Sequence, residues 1–156
     1  MATQFTAVGT ASAVLALSKA AWKLGISLSK LYQDTRTIDT AVKSLAEEVK
    51  SLGNECDFVY AELEEVTSKT GTELLPPYDA DGRIWNCLAT QVEEANQTMQ
   101  ELELFVKSVR GKEPRFIGQP QSERKLDNNK DQVASIRTKV CRHIDNLRTT
   151  LVLINT

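Results

Sequence analysis

Histidine and cysteine, which often act as nucleophiles, bases or metal ligands, are rare in this chain. The one histidine, His143, follows Cys141 by two positions. Residues two apart on a helix point to different faces, so this pair predicts neither a nucleophile–base couple nor a shared metal site. Cys56, Cys87 and Cys141 are odd in number and widely spaced, which argues against a disulfide framework and favours a reducing compartment. Cys56 is one of the regularly spaced apolar residues of a predicted helix face, and Cys87 and Cys141 are next to such residues. All three are therefore predicted to be buried, unreactive thiols.

Carboxylates are clustered at Glu47–Glu48 and in the stretch 62–65, but no Glu-x-x-His motif accompanies them. These clusters are predicted to be solvated helix faces. The glycines are scattered, and none forms a phosphate-binding loop. The sequence therefore predicts a non-enzymatic protein without catalytic residues, metal ligands or a cofactor.

A polar, basic connector joins the third and fourth predicted helices. Its cations could bind an acidic partner, but Phe116 is the only aromatic residue among them, and nucleic acid is not predicted as a partner. The candidate residues of this basic connector are Arg110, Lys112, Arg115, Arg124 and Lys125.

The elements that must position these side chains are helices. Apolar residues recur at alternating spacings of four and three, while no long stretch alternates with period two. The pattern predicts an all-α fold, an antiparallel bundle of four or five long helices in a single domain spanning 1–156. The four helices are expected at about 4–33, 37–67, 82–110 and 126–154. We call the apolar residues that share one face of a predicted helix its seam. The seam of the second helix is Ile38, Val42, Leu45, Val49, Leu52, Cys56, Val59, Leu63 and Val66. The seam of the third is Trp85, Leu88, Val92, Ala95, Met99, Leu102, Val106 and Val109, and that of the fourth is Val133, Ile136, Val140, Ile144, Leu147, Leu151 and Ile154.

Charge is distributed unevenly along the chain. Residues 1–33 carry three lysines and no acid, residues 34–104 carry 5 basic and 16 acidic residues, and residues 105–156 carry 11 basic and 5 acidic residues. Two explanations stay open at this point. Acidic and basic helices can neutralise each other side by side, or the two cationic segments can share a face that meets anionic lipid or another acidic surface.

The first helix has an unusual composition, because the stretch 7–32 contains no acid and is largely apolar. Its lysines follow the apolar part, which disfavours a signal peptide, and its threonines and serines disfavour a permanent membrane span. Two alternatives remain: a core helix with one solvated lysine stripe, and a helix buried at rest that moves to a membrane when triggered.

On a helical wheel, apolar residues flank the lysine stripe on both sides. Such a helix is expected at the centre of a bundle, and the apolar end of the fourth helix, 151–155, is expected to be buried as well. One flank holds Phe5, Leu15, Trp22 and Ile26, and the other holds Leu17, Leu24, Leu28 and Leu31.

The order of these features resembles a known family. An apolar first helix ends in Ser29-Lys30-Leu31-Tyr32, a heptad-patterned helix follows, a third opens near Trp85-Asn86-Cys87-Leu88, and the last contains Arg142-His143-Ile144. This resembles the fungal N-terminal domain found ahead of NACHT or other STAND (NLR-like) receptors, in the HeLo and HeLo-like group of helical bundles. The resemblance implies that the chain is either the N-terminal part of a larger receptor or a stand-alone version of such a domain.

The resemblance implies a signalling or effector domain that acts in fungal non-self recognition or regulated cell death. Such a domain would oligomerise and target membranes through its N-terminal helix. Its partners would be copies of itself, other helical signalling domains and, on activation, anionic membrane lipids; it would be cytoplasmic, with recruitment to the plasma membrane. The positions implied for membrane contact are Phe5, Val8, Val14, Leu15, Leu17 and Trp22, with Lys19, Lys23 and Lys30 for lipid headgroups.

An alternative function follows from the regular seams and their charged flanks. A bundle of this kind can act as an adaptor or scaffold that binds partner helices without any membrane activity. Both functions are carried forward as hypotheses.

Overall fold

The computed structural model describes residues 7–35, 40–70, 83–110 and 130–155, and side chains at 9–33, 40–65, 83–109 and 130–153. All of these residues are helical, which confirms the all-α prediction. The helices are α1 (Ala7–Thr35), α2 (Thr40–Thr70), α3 (Arg83–Arg110) and α4 (Lys130–Asn155). Each predicted helix end lies within three residues of the observed one. The predicted starts at 4, 37, 82 and 126 lie outside the described residues, as would any fifth helix.

The predicted seams form the hydrophobic core. Alternating spacings of four and three place side chains on one face of a helix, and those faces converge at the centre of the bundle. In α2, every seam residue from Val42 to Leu63 is completely buried, and the seam of α3 from Trp85 to Val109 is buried throughout. In α4 the seam is buried from Val133 to Leu147, and Leu151 is partly buried.

The helices form a ring in which each packs against two neighbours. Helix α1 packs against α2 and α3, and α4 packs against the same two helices. Within the described residues, α1 does not contact α4 and α2 does not contact α3, so each of these pairs lies across a diagonal. The order around the ring is therefore α1, α2, α4, α3.

Two antiparallel hairpins build this ring. Ser18 of α1 contacts Asp57 of α2, and farther along α1 Ser29 contacts Lys50, an earlier residue of α2. Gln91 at the start of α3 likewise meets Thr150 near the end of α4. Both α1–α2 and α3–α4 are consequently antiparallel pairs.

Between the hairpins the neighbouring helices run parallel. Arg137 of α4 binds Glu48 of α2 at 2.8 Å, and farther along both helices Arg148 binds Glu55 at 3.1 Å. Because α2 and α4 point the same way, α1 and α3 must also be parallel to each other. The directions alternate along the chain, as predicted, but only two of the four contacts around the ring join antiparallel helices.

Helix α4 neutralises its acidic neighbours. It carries five basic and two acidic residues, whereas α2 carries three lysines and seven acids. Besides its two arginine contacts with α2, α4 binds α3 through Lys139 and Glu101 at 2.9 Å. The side-by-side explanation of the charge pattern is thus confirmed for α4.

Three predictions of burial are wrong. Helix α1 is not central, because it has neighbours on two sides only and leaves one apolar flank in solvent. Val152 and Leu153 at the end of α4 are exposed by 62% and 46%, since the two helices packed on α4 cover only its seam side. Cys87 and Cys141 are exposed as well, because a residue next to a seam position points about 100° away around the helix.

Candidate functional site

Helix α1 presents a cationic and partly apolar surface to solvent. We call it the outer face of α1; it consists of Lys19, Trp22, Lys23, Ile26 and Lys30. The Trp22 side chain is exposed by 37% and Ile26 by 51%, and the three lysines are exposed. No acidic residue occurs in 9–33, and within the described part of the chain none of the three lysines pairs with a carboxylate.

The opposite face of α1 belongs to the core. Its side chains are at most 8% exposed and pack against α2 and α3. Returning them to water would cost on the order of 10 kcal/mol, from about 1.5–3 kcal/mol for each large apolar side chain. That is as much as the entire stability of a typical domain, about 5–15 kcal/mol. The residues of this inner face are Val14, Leu17, Ala21, Leu24, Leu28 and Leu31.

The residues predicted for membrane contact are therefore divided between the two faces. Val14 and Leu17 are completely buried, and Leu15 is half-buried. Trp22 and the three lysines lie together on the outer face. Phe5 lies outside the described residues, and so does the side chain of Val8.

Trp22 is held against α2 by two residues that the sequence pattern did not single out. Its indole Nε1–H donates to Asp57 Oδ2 at 3.2 Å. The ring lies over Gly53, where an added Cβ would come within 2.8 Å of the indole Cδ1 and Nε1. A glycine inside a helix costs about 1 kcal/mol relative to alanine, and here it provides the space for the indole.

Other small or polar residues continue this contact, which we call the α1–α2 seam. Ser18 donates its hydroxyl to Asp57 Oδ1 and lies 3.3 Å from the Gly53 carbonyl oxygen. Gly25 is buried, and a Cβ there would lie 2.6 Å from Lys50 Cγ and 3.4 Å from the Ala46 carbonyl oxygen. The two helix backbones approach closely because no larger side chain separates them.

A signal for the Trp22–Gly53 contact is present in the sequence. The connection between α1 and α2 is only four residues long, 36–39, so an antiparallel hairpin fixes which residues face each other. Counting back from that connection places residue 22 opposite residue 53.

A second polar contact is buried between α3 and α4. Thr98 Oγ1 lies 2.7 Å from His143 Nε2 and 3.3 Å from the Glu94 carbonyl oxygen. The hydroxyl has one proton, which it donates to that carbonyl, so the imidazole Nε2–H donates to the hydroxyl oxygen. Burial lowers the pKa of His143, partly offset by the carboxylate of Glu94 and reinforced by Arg142 and Lys139.

The neutral ring fits this environment. His143 is only 6% exposed, and its Nδ1 has no hydrogen-bond partner within the described residues. Protonation would place an unpaired N–H there, which is costly in a buried position. His143 and Cys141 point to different faces, as predicted, since the first is buried and the second is exposed.

The basic connector is not placed by the structure. Lys112, Arg115, Arg124 and Lys125 lie outside the described residues, and Arg110 is the last residue of α3 with its side chain outside them. The predicted role of these residues stays a prediction.

Among the described side chains, no group of three or more His, Cys, Asp or Glu is arranged to bind a metal ion. No helix in the described part of the chain combines the length and apolar character needed to span a bilayer. No family model, no curated protein and no solved structure matches this chain.

Proposed function

We propose that this chain is a non-enzymatic signalling or effector domain that targets anionic membranes through α1. The observation that carries the proposal is the outer face of α1, where three exposed lysines, none of them paired with a carboxylate among the described residues, surround an exposed tryptophan and isoleucine. Asp57 of α2, bonded to the indole N–H, is an acidic neighbour of this face. In line with the HeLo-like resemblance, the domain would oligomerise on the membrane and act in fungal non-self recognition or regulated cell death.

The chemistry of the outer face suits a lipid interface. Lysines near an anionic bilayer each contribute about 1 kcal/mol of binding free energy. Tryptophan favours the headgroup region, and an apolar side chain beside it can enter the acyl boundary. The chain as a whole has a net charge of only −2, so attraction to anionic lipid depends on how charge is placed and not on its total.

Vesicle co-sedimentation tests the electrostatic part of the proposal. The protein should bind vesicles of mixed phosphatidylserine and phosphatidylcholine and should not bind phosphatidylcholine alone. The double variant Lys19→Gln/Lys23→Gln should lose about 30-fold in affinity, from two lysine contributions. Lys130→Gln/Arg142→Gln, which removes the same charge from exposed positions of α4, is the matched control and should bind as the parent does.

The apolar part is tested at Ile26. Ile26→Gln should weaken binding to the same vesicles, whereas Leu104→Gln, on an exposed leucine of α3, should leave binding unchanged. Leu17 is unsuitable for such a test because it is completely buried, and a charge placed there would destabilise the fold by several kcal/mol whatever the function.

The effector step is tested by dye release from the same vesicles, with light scattering to follow oligomer formation.

Equal loss of binding in both charge variants would mean that the attraction is diffuse and would remove α1 from the proposal. Absence of binding by the parent protein at micromolar concentration would refute membrane targeting and favour the adaptor function.

A further inference from the structure

We infer that α1 binds the lipid surface while it remains packed in the bundle, so that the folded domain docks on the bilayer along the α1 edge. The inference rests on the proposed function and specifies the state of the protein that makes the contact. Its alternative is that α1 first separates from α2 and α3 and then enters the membrane alone.

The outer face is already complete in the folded state. Trp22 and Ile26 are exposed, and Lys19 and Lys30 extend the cationic surface on either side of them. These lysines are 11 residues apart, which corresponds to about 17 Å along the helix axis. A surface of that length on one side of a helix fits a flat anionic bilayer lying parallel to the helix, and no rearrangement is needed to expose it.

The inner face, in contrast, is fully used within the protein. Leu17, Leu28 and Leu31 fill the space between α2 and α3 and are at most 1% exposed. Separation of α1 would expose these leucines together with the facing seams of two other helices. Docking in place keeps all of that surface buried.

The α1–α2 seam also favours docking in place. Gly53 provides the space for the Trp22 ring, and Asp57 binds both the indole N–H and the Ser18 hydroxyl. These contacts fix the orientation in which Trp22 is presented on the outer face. Trp22 on a separated α1 would have none of these partners.

A disulfide between α1 and α2 tests the inference directly. A Cβ at position 25 would lie 2.6 Å from Lys50 Cγ and 3.4 Å from Lys50 N, so in Gly25→Cys/Lys50→Cys the two cysteine side chains would be in contact, as disulfide formation requires. Exposed Cys87 and Cys141 are replaced by serine to prevent other disulfides. Buried Cys56 is retained, since burial raises the pKa of its thiol to about 12 and keeps it unreactive.

Binding of the oxidised and the reduced forms to phosphatidylserine-containing vesicles is then compared. Equal affinity, within about twofold, supports docking in place. Binding that appears only after reduction overturns the inference and leaves the proposed function standing. If neither form nor the parent binds, the proposed function fails together with the inference. Circular dichroism of both forms establishes that the disulfide variant is folded.

Amide hydrogen exchange on the unmodified chain gives a second measurement that needs no variant. If α1 stays in place, protection of the α2 amides between Val42 and Leu63 should be the same with and without vesicles. If α1 leaves, the uncovered α2 should exchange at least tenfold faster, and that result also overturns the inference.

Discussion

The two antiparallel hairpins of the bundle are held together by different chemistry. Between α1 and α2 the decisive features are small residues, so that Trp22 lies directly on Gly53 and its N–H reaches Asp57 near the surface. Between α3 and α4 the decisive feature is a polar contact in the core, where His143 binds Thr98. The first hairpin should therefore be sensitive to side-chain volume, and the second to hydrogen bonding and pH.

The largest loss of stability is expected from removing the buried Thr98 hydroxyl in the second hairpin. Thr98→Val keeps the shape of the side chain but leaves the His143 Nε2–H without a partner, which should lower the free energy of unfolding by about 2 kcal/mol. Urea denaturation measures this value. In the double variant Thr98→Val/His143→Leu both polar partners are gone, and most of the loss should be recovered. A double variant less stable than the single one would show that shape, and not hydrogen bonding, dominates this contact.

A somewhat smaller effect is expected from adding volume in the first hairpin. Gly53→Ala should lower the free energy of unfolding by about 1–2 kcal/mol, because the new methyl group overlaps the Trp22 ring. Trp22→Ala in the same chain should relieve the overlap and restore stability.

Gly25→Ala tests a second close contact of the first hairpin. Its Cβ would lie 2.6 Å from Lys50 Cγ, an atom near the α2 backbone, and 3.4 Å from the Ala46 carbonyl oxygen, so this variant should also lower the free energy of unfolding by about 1–2 kcal/mol. Trp22→Ala should restore stability to the Gly53→Ala chain only; recovery in both chains would show that the loss at Gly53 does not come from confinement of Trp22 by α2.

The smallest change in stability is expected from lowering the pH. The folded protein lowers the pKa of His143 below the 6.5 of a free side chain, so the fold favours the neutral ring. Stability from this group is complete above about pH 6.5 and decreases as the pH falls from there toward the lowered value, because the unfolded chain binds the proton first. Thermal denaturation between pH 7.5 and 5 should show this decrease, and His143→Gln should reduce it. An unchanged pH profile in that variant would assign the decrease to other groups.

The core of this protein follows from its sequence more directly than the surroundings of α1 do. The seam residues of α2 and α3 are buried because a regular spacing determines which side chains share a helix face. The same spacing does not determine how many neighbours a helix has. The helix that carries Trp22 and Ile26 was expected at the centre of the bundle. These two side chains are exposed because α1 contacts only two helices.

The packing of the hairpins against each other could not be deduced in the same way. The short 36–39 connection fixes how α1 faces α2, whereas the long 71–82 and 111–129 stretches allow more than one order of helices around the ring. Pairing of Glu48 with Arg137 depends on α2 and α4 being parallel neighbours, and the separation of 89 residues between them gives no indication of it. Charge segregation along the chain was the only available signal.

The unequal exposure of the two tryptophans has a practical consequence for spectroscopy. Trp85 is 2% exposed in the core, and Trp22 is 37% exposed beside the lysines. Trp85 should emit at shorter wavelength and be protected from aqueous quenchers. Trp22 should emit at longer wavelength and be quenched by them. The protein thus contains two tryptophan fluorophores, one that reports unfolding and one that reports contact with another surface. Bilayers with brominated acyl chains would distinguish them without any added label.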